Sequence, residues 1–296
     1  MSEIVASFEQ LNPEIDHKDL STWTEYNLPP QTRPGLFQCL MGHIKPVWAI
    51  RENSKIRKIF KDLYSELSHE EVTDFVCSFD GINVLPNGSG HYHKEGNDWG
   101  HLDQTYGDIF DCIQGQAVLT NTSASFVATP VTHRHFSEIL DLADVSEKDK
   151  SNWCKFSPDK VEEIKTYLAS HDIQYQIPIL APAGSLILWT SSTIHAAKLP
   201  DHKEKPSNDD KWKGWRGVVY VCHRPRDELS DKALKRRKLY FEDNRMTSHW
   251  GDTVVSKRPG GRYLYTKKRH ERIEAYLDDP TLIYEDLEKP EASDLI

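Results

Sequence analysis

Residues 181–197 read Ala-Pro-Ala-Gly-Ser-Leu-Ile-Leu-Trp-Thr-Ser-Ser-Thr-Ile-His-Ala-Ala. Pro182-Ala-Gly184 is a turn signal, and Ser185–Trp189 behind it is an apolar run of strand length. Thr193–Ala197 follows as a second short strand, and period-two alternation puts Thr193, His195 and Ala197 on one face. A turn, an apolar strand and a histidine-bearing strand in direct succession argue for β structure in this half of the chain.

Upstream, Tyr175–Leu180 reads as another strand. Ile109–Thr120 (IFDCIQGQAVLT) alternates like a strand interrupted by Gly115, which signals a bulge or a close backbone approach. Earlier still, Trp99-Gly-His-Leu-Asp-Gln104 sets His101 and Asp103 two residues apart, so on an extended strand both project into one space. Downstream, residues 198–214 are a polar loop. Trp215–His223 (WRGVVYVCH) is then a strand on which Arg216, Val218, Tyr220 and Cys222 share a face. Phe75–Phe79 is a further strand, followed by an Asp80-Gly81 turn.

Apolar residues spaced by three and four predict an amphipathic helix from Lys45 to Leu67, with a capping box or turn at 68–71. Ser157-Pro158 starts a second helix, running through Leu168, and residues 231–245 form a basic helix. Residues 1–35 show little periodicity and three Pro-rich points; they read as an irregular arm anchored by Trp23, Tyr26 and Leu28. Short strands separated by turns, with helices at the start and in an insertion at about 137–170, indicate a mainly β fold with flanking helices, either barrel or sandwich.

The composition suits such a core. The chain has 296 residues, 38% apolar and 28% charged, with eight Trp and twelve Tyr. No apolar run approaches a membrane span, and residues 1–5 lack the pattern of a secretory signal. Five scattered cysteines (Cys39, Cys77, Cys112, Cys154, Cys222) with no C-x-x-C pair read as reduced thiols, so a cytoplasmic location is expected. A net charge of −9 argues against a general affinity for nucleic acid. Residues 257–272 carry seven Lys or Arg against one Glu, and 273–296 carry eight carboxylates against one Lys. The two blocks either neutralise each other as solvated faces or present a basic docking patch.

His101 and Asp103 offer a nitrogen and an oxygen donor to one side of a divalent metal, and His195 supplies a second nitrogen. Two His and one carboxylate form the facial set that suits non-haem Fe(II) and leaves positions for substrate and O2. Arg216 facing an interior is expensive unless it meets an anion, and its planar fork fits a carboxylate. A metal set beside a buried arginine is what 2-oxoglutarate needs: the keto acid end chelates the metal and the distal carboxylate meets Arg216. Taken singly, each residue also has an ordinary reading. His101 and His195 are two of fourteen histidines, Asp103 fits a turn cap, and Arg216 fits a pair with a surface acid. Gln114 is a candidate donor to the keto acid's C1 end, or a strand-end amide. Trp189 reads as core packing. His91 and His93 in the Gly- and Asn-rich loop 86–100, and His133 and His135 after Thr129-Pro130, read as loop and turn histidines.

The stretches WGHLDQ (99–104), DCIQGQAVL (111–119), APAGSLILWTSSTIHAA (181–197), RGVVYVCHRPR (216–226) and RMTSHWG (245–251) together resemble the phytanoyl-CoA dioxygenase family of Fe(II)- and 2-oxoglutarate-dependent oxygenases. The most specific block is G-x-L-I-L-W-x-S-x-x-I-H, where turn, apolar strand and histidine come in fixed order. The resemblance implies a double-stranded β-helix (jelly-roll, cupin-like) core, ligation of Fe(II) by His101, Asp103 and His195, and binding of 2-oxoglutarate by Arg216. The resembling stretches run from about 99 to 250, and a single oxygenase domain over 1–296 is expected. Residues 1–75 would be arm and helices, 76–225 the core with its insertion, and 226–296 a helical and irregular extension.

The implied activity is hydroxylation of an unidentified organic substrate with O2, releasing succinate and CO2; a small molecule is the expected partner, with acyl-CoA thioesters, peptidyl side chains and nucleobases open as well. Asp103 argues against the family's halogenating branch, where a small residue replaces that ligand. The 21-residue gap from His195 to Arg216 is longer than the family usually shows, and the polar stretch 198–214 accounts for the excess. Arg224 and Arg226 therefore stand as alternatives to Arg216. Residues 1–90 and the tail match nothing in the family, so the substrate does not follow from it. The competing readings are a cupin-like metalloenzyme that does not use 2-oxoglutarate and a non-catalytic jelly-roll binding protein.

Overall fold

The computed structural model describes residues 1–86, 100–124, 126–198, 204, 206–254, 268–291 and 293–296. His91 and His93 with most of their loop, residues 199–203 of the polar loop and residues 257–267 of the basic stretch lie outside the described residues. Twelve strands are present among those described: β1 (Leu36–Phe37), β2 (Phe75–Cys77), β3 (Ile82–Leu85), β4 (His101–Leu102), β5 (Ile113–Val118), β6 (Phe126–Ala128), β7 (Cys154–Lys155), β8 (Ile177–Ile179), β9 (Leu186–Thr190), β10 (His195–Ala197), β11 (Arg216–Val221) and β12 (His223–Pro225). They form two five-stranded antiparallel sheets, ordered β1-β3-β11-β5-β9 and β7-β4-β10-β6-β8, plus a β12-β2 pair. The architecture is antiparallel sheet with helices packed outside; because the strands are short, helix (34%) outweighs strand (18%) by residue count.

Register decides which side chains share a face. In the first sheet Arg216 pairs with Leu85, Tyr220 with Gln116, and Gln114 with Trp189, so these side chains lie on one side. The alternate residues Val219, Val221, Ile82, Val84, Phe37 and Ile113 lie on the other and join the main apolar core. Each such buried side chain contributes roughly 1.5–3 kcal/mol, so the sheet is held from its helix side and its other face is left free for polar groups. Gly115 sits in unbroken register with Leu188 and Val221. Its reason is close approach, not a bulge: a Cβ there would lie 2.8 Å from the Val221 carbonyl oxygen and 3.2 Å from the Phe60 ring.

The helix side begins with α1 (Ser2–Leu11), which corrects the expectation of an irregular arm. Ile4, Val5, Phe8 and Leu11 are buried along one stripe, and Phe8 packs on Phe37 and Trp23 with ring centroids 4.8 and 5.3 Å away. The long helix expected over 45–67 is two, α2 (Lys45–Arg51) and α3 (Ser54–Ser68). Asn53 makes the break by accepting hydrogen bonds from the Lys55 and Ile56 amides, starting a new helix. His69 then ends α3 in the left-handed region, so 68–71 is a turn.

The second sheet buries Leu102 and Ile194 against α4 (Phe136–Leu142) and α5 (Pro158–Ser170) through Phe136, Ile139, Val161, Ile164 and Leu168. The insertion is not all helix, because β7 lies inside it and extends the sheet beyond β4. Helix α6 (Asp231–Glu242) buries Arg237, which donates to the carbonyls of Cys77, Leu295 and Gly251. Helices α7 (Glu271–Asp278) and α8 (Pro280–Asp286) close the main core. Within the basic stretch, Arg269 is buried and donates to the Glu25 and Leu28 carbonyls, so this cation anchors the N-terminal region. No helix among the described residues is long and apolar enough to cross a membrane.

His223 lies nearly parallel to Phe60, ring centroids 5.0 Å apart, and its Nε2 has no partner among the described residues. Burial, reinforced by the charges of Arg57 and Arg51, pushes its pKa from 6.5 down to about 3. Below pH 6.5 the unfolded chain takes up this proton, and the folded chain does so only near pH 3. Stability is therefore lost as pH falls through that window. At pH 5 the loss from this residue should be about 2 kcal/mol, seen as a lower Tm than at pH 7. His223→Phe should remove that share of the drop; the same drop in variant and wild type would refute the assignment.

Candidate metal centre

β4 and β10 are neighbours in the second sheet, and their register places His101 directly opposite His195. Cross-strand partners bring side chains within about 5 Å, and the two imidazole centroids lie 4.3 Å apart. Asp103 follows β4, with its amide donating to the Ser191 carbonyl at 3.0 Å. Its carboxylate then sits 3.1 Å from His195 Nε2 and 3.7 Å from His101 Nε2. The three ligand atoms all lie within 4.8 Å of one another. Two donors at right angles on a metal with bonds of about 2.1 Å lie about 3 Å apart, so the set fits a first-row divalent ion.

The surroundings fit as well. His195 Nδ1 donates to the Thr193 carbonyl at 2.9 Å, which assigns the proton to Nδ1 and leaves the Nε2 lone pair facing Asp103. Burial alone would push the Asp103 carboxyl up. The nearby imidazoles of His249, His101 and His195 outweigh it and hold the group well below the usual carboxylate range. The backbone carbonyl of Asp103 accepts from Trp250 Nε1 at 3.0 Å and from His249 Nε2 at 3.3 Å. Arg237, by gripping the Gly251 carbonyl, ties this His-Trp pair to α6.

Gln114 reaches the group from β5. Its Nε2 donates to Asp103 Oδ2 at 2.9 Å and to Ser191 Oγ at 3.2 Å. The amide thus orients the carboxylate. Gln114→Leu should weaken Co(II) or Fe(II) binding roughly 10–100-fold, the usual cost of losing an outer-shell partner; chelator competition giving wild-type affinity would contradict this.

The same cavity, about 680 Å³, is lined by His101, Asp103, His195, Gln114 and Arg216. Arg216 is 2% exposed; Nη1 donates to the Ala124 carbonyl at 2.7 Å, and its charge acts on the neighbouring Tyr220, which lines the same cavity. Its Nε has no partner, and no carboxylate among the described residues pairs with it. The alternatives lie elsewhere. Arg224 rests on the Trp250 ring and pairs with Glu228, while Arg226 pairs with Asp74 and the Ile296 carbonyl. Neither lines the cavity. His135 bonds Tyr167 and, like His133, lies outside the lining.

Trp189 is a cavity wall as well as packing. Its ring lies 4.3 Å from Phe126 and 5.3 Å from His195, and its Nε1 is buried without a partner among the described residues. Sequence reasoning gave no role to His249, Trp250 or Asp80. The signal for the first two was the paired His-Trp in an otherwise polar tail, and Asp80 read only as a turn residue.

No family model matches the chain. It is similar to "Ava biosynthesis cluster protein O" of Aspergillus versicolor, 26% identical over 247 residues, which cover 79% of this chain and 72% of that protein. Among solved structures, GlcNAc Inducible Gene 2, GIG2 (DUF1479), from Candida albicans aligns at 14% identity and a TM-score of 0.46, covering 99% of this chain and 73% of that one. EctD from S. alaskensis, solved with 2-oxoglutarate and 5-hydroxyectoine, aligns at 12% identity and a TM-score of 0.30. That alignment covers 76% of this chain and 64% of EctD.

Proposed function

We propose that this chain is an Fe(II)- and 2-oxoglutarate-dependent oxygenase with a jelly-roll core, of the phytanoyl-CoA dioxygenase type, that hydroxylates a small organic molecule. The observation that carries the reading is Arg216: a buried guanidinium without an acidic partner among the described residues, opening on the same cavity as a two-His, one-carboxylate group. Burying an unpaired charge costs several kcal/mol, and a bidentate carboxylate is its natural complement. The name of the Aspergillus relative supports a tailoring step in biosynthesis. The main core cluster, drawn from Ile4 to Leu295, supports a single domain over 1–296.

His101, Asp103 and His195 would hold the metal. Fe(II) bound there, with 2-oxoglutarate and O2, supplies the oxidation that yields succinate, CO2 and an oxygen atom on a substrate C–H. The chain's own groups bind and orient. Gln114 keeps the Asp103 carboxylate aligned, Trp250 and His249 fix its backbone, and Arg216 with Tyr220 receives the distal carboxylate of the keto acid. Trp189 and Phe126 give an apolar wall beside His195. No side chain is required as general acid or base. Anaerobic addition of Fe(II) and 2-oxoglutarate should produce a visible metal-to-ligand charge-transfer band. No band from folded protein, or a band that needs no 2-oxoglutarate, would sink the reading.

A further inference from the structure

Asp80 lies between β2 and β3 and is the one acid besides Asp103 among the described lining residues of the cavity. It is 6% exposed. Its Oδ1 accepts from the Gly81 amide at 2.6 Å and from Gln38 Nε2 at 3.2 Å, whereas Oδ2 takes no hydrogen bond from the described residues. The backbone behind it is clamped: the fully buried Arg51 donates to the Asp80 carbonyl and to the Gly42 carbonyl, each at 2.6 Å. No Lys or Arg among the described residues forms an ion pair with its carboxylate. The group is thus rigid, buried, open to the cavity and half-satisfied.

A carboxylate that only stabilised the turn would have no reason to present an unused oxygen to a cavity, since buried acceptors are ordinarily satisfied. Burial pushes the Asp80 carboxyl up, with His249 foremost among the groups opposing the rise, so a cation brought beside it relieves the penalty. Aromatic rings stand on the same lining: Trp189 and Phe126 within, and the half-exposed Trp153. Ring faces favour organic cations over neutral groups of the same shape. Arg216 cannot serve an amine, so Asp80 and Arg216 differ in the charge of the group each would receive.

We propose that Asp80 is the specificity-determining residue of this cavity and that the substrate carries a cationic nitrogen, an ammonium or guanidinium, donating to Asp80 Oδ2. The assignment of this ligand as substrate rests on the oxygenase reading. Calorimetric titration of the full chain with phenethylamine against neutral 2-phenylethanol, and with benzamidine against benzamide, tests the site. Wild type should bind at least one cation about tenfold or more tighter than its neutral counterpart, the scale of one charge-assisted hydrogen bond. Asp80→Asn, which keeps an oxygen for the Gly81 amide, should abolish the preference.

Equal binding of cation and neutral, or no binding of either cation, overturns the proposal, as does a preference that survives Asp80→Asn. The wild-type comparison decides alone if the variant does not fold. A parallel titration of wild type with Co(II) and 2-oxoglutarate keeps the two readings apart: its failure counts against the oxygenase, and loss of cation selectivity counts against Asp80.

Discussion

Asp103→Ala should strip the metal from the chain without unfolding it. The residue's structural bonds run through its backbone: the amide to Ser191, the carbonyl to Trp250 and His249. All three survive truncation at Cβ. The side chain contributes one hydrogen bond from Gln114 and the attraction of nearby imidazoles, so stability should change by only about 1–2 kcal/mol. Metal affinity should fall far more, beyond the roughly 10–100-fold cost of losing an outer-shell partner. Two neutral nitrogens remain, with no anion to balance a dication. Metal analysis after anaerobic loading and gel filtration, with circular dichroism on the same sample, checks both halves. Stoichiometric iron retained by folded Asp103→Ala would mean that His101 and His195 bind it with some other donor. Asp103→Asn sharpens the test, because it keeps the shape and removes only the charge.

The shared faces of His101 with Asp103 and of Arg216 with Tyr220 were legible because strands encode them simply. Alternation put His101 beside Asp103, and Arg216 beside Tyr220, from spacing alone. The register that sets His101 opposite His195 is a tertiary fact, and no local pattern in either two- or three-residue strand could supply it. Local signals were misread where a short element leans on distant partners. α1 carries its stripe at Ile4, Val5, Phe8 and Leu11, but its helical turns are stabilised by Phe37 and Trp23 across the core. β7 pairs with β4 in a stretch whose flanks are helical. Asn53 was visible as a cap residue, yet apolar periodicity on both sides of it concealed the break.

The site's outer partners were illegible for a different reason. His249 and Trp250 act through a backbone carbonyl about 150 residues earlier. Asp80 looks like a turn acid until the cavity around it is known.

Arg216→Met should make the chain more stable and at the same time unable to hold 2-oxoglutarate. Without its ligand, wild type carries a buried guanidinium whose one hydrogen bond among the described residues is to the Ala124 carbonyl. Replacing a poorly compensated buried charge with an apolar side chain of similar length typically stabilises by about 1–4 kcal/mol. Losing the donor to Ala124 costs about 1 kcal/mol in return, leaving a net gain of a few degrees in Tm. Adding 2-oxoglutarate should reverse the order. Wild type gains about 2.7 kcal/mol when the ligand stands at 100 times its Kd, while the variant, lacking the bidentate partner, should bind it more weakly by about 3 kcal/mol, roughly a hundredfold or more in Kd. Melting curves of the two proteins, with Co(II) present and 2-oxoglutarate absent or added, should therefore cross. An Arg216→Met protein that melts lower than wild type without 2-oxoglutarate would mean that the guanidinium is already satisfied within the fold. The unpaired charge would then be no argument for the keto acid, and the cupin-like reading without 2-oxoglutarate would take its place. If the crossing is seen, the destabilising charge is retained for its ligand, the usual relation between a binding site and the stability of the protein that carries it.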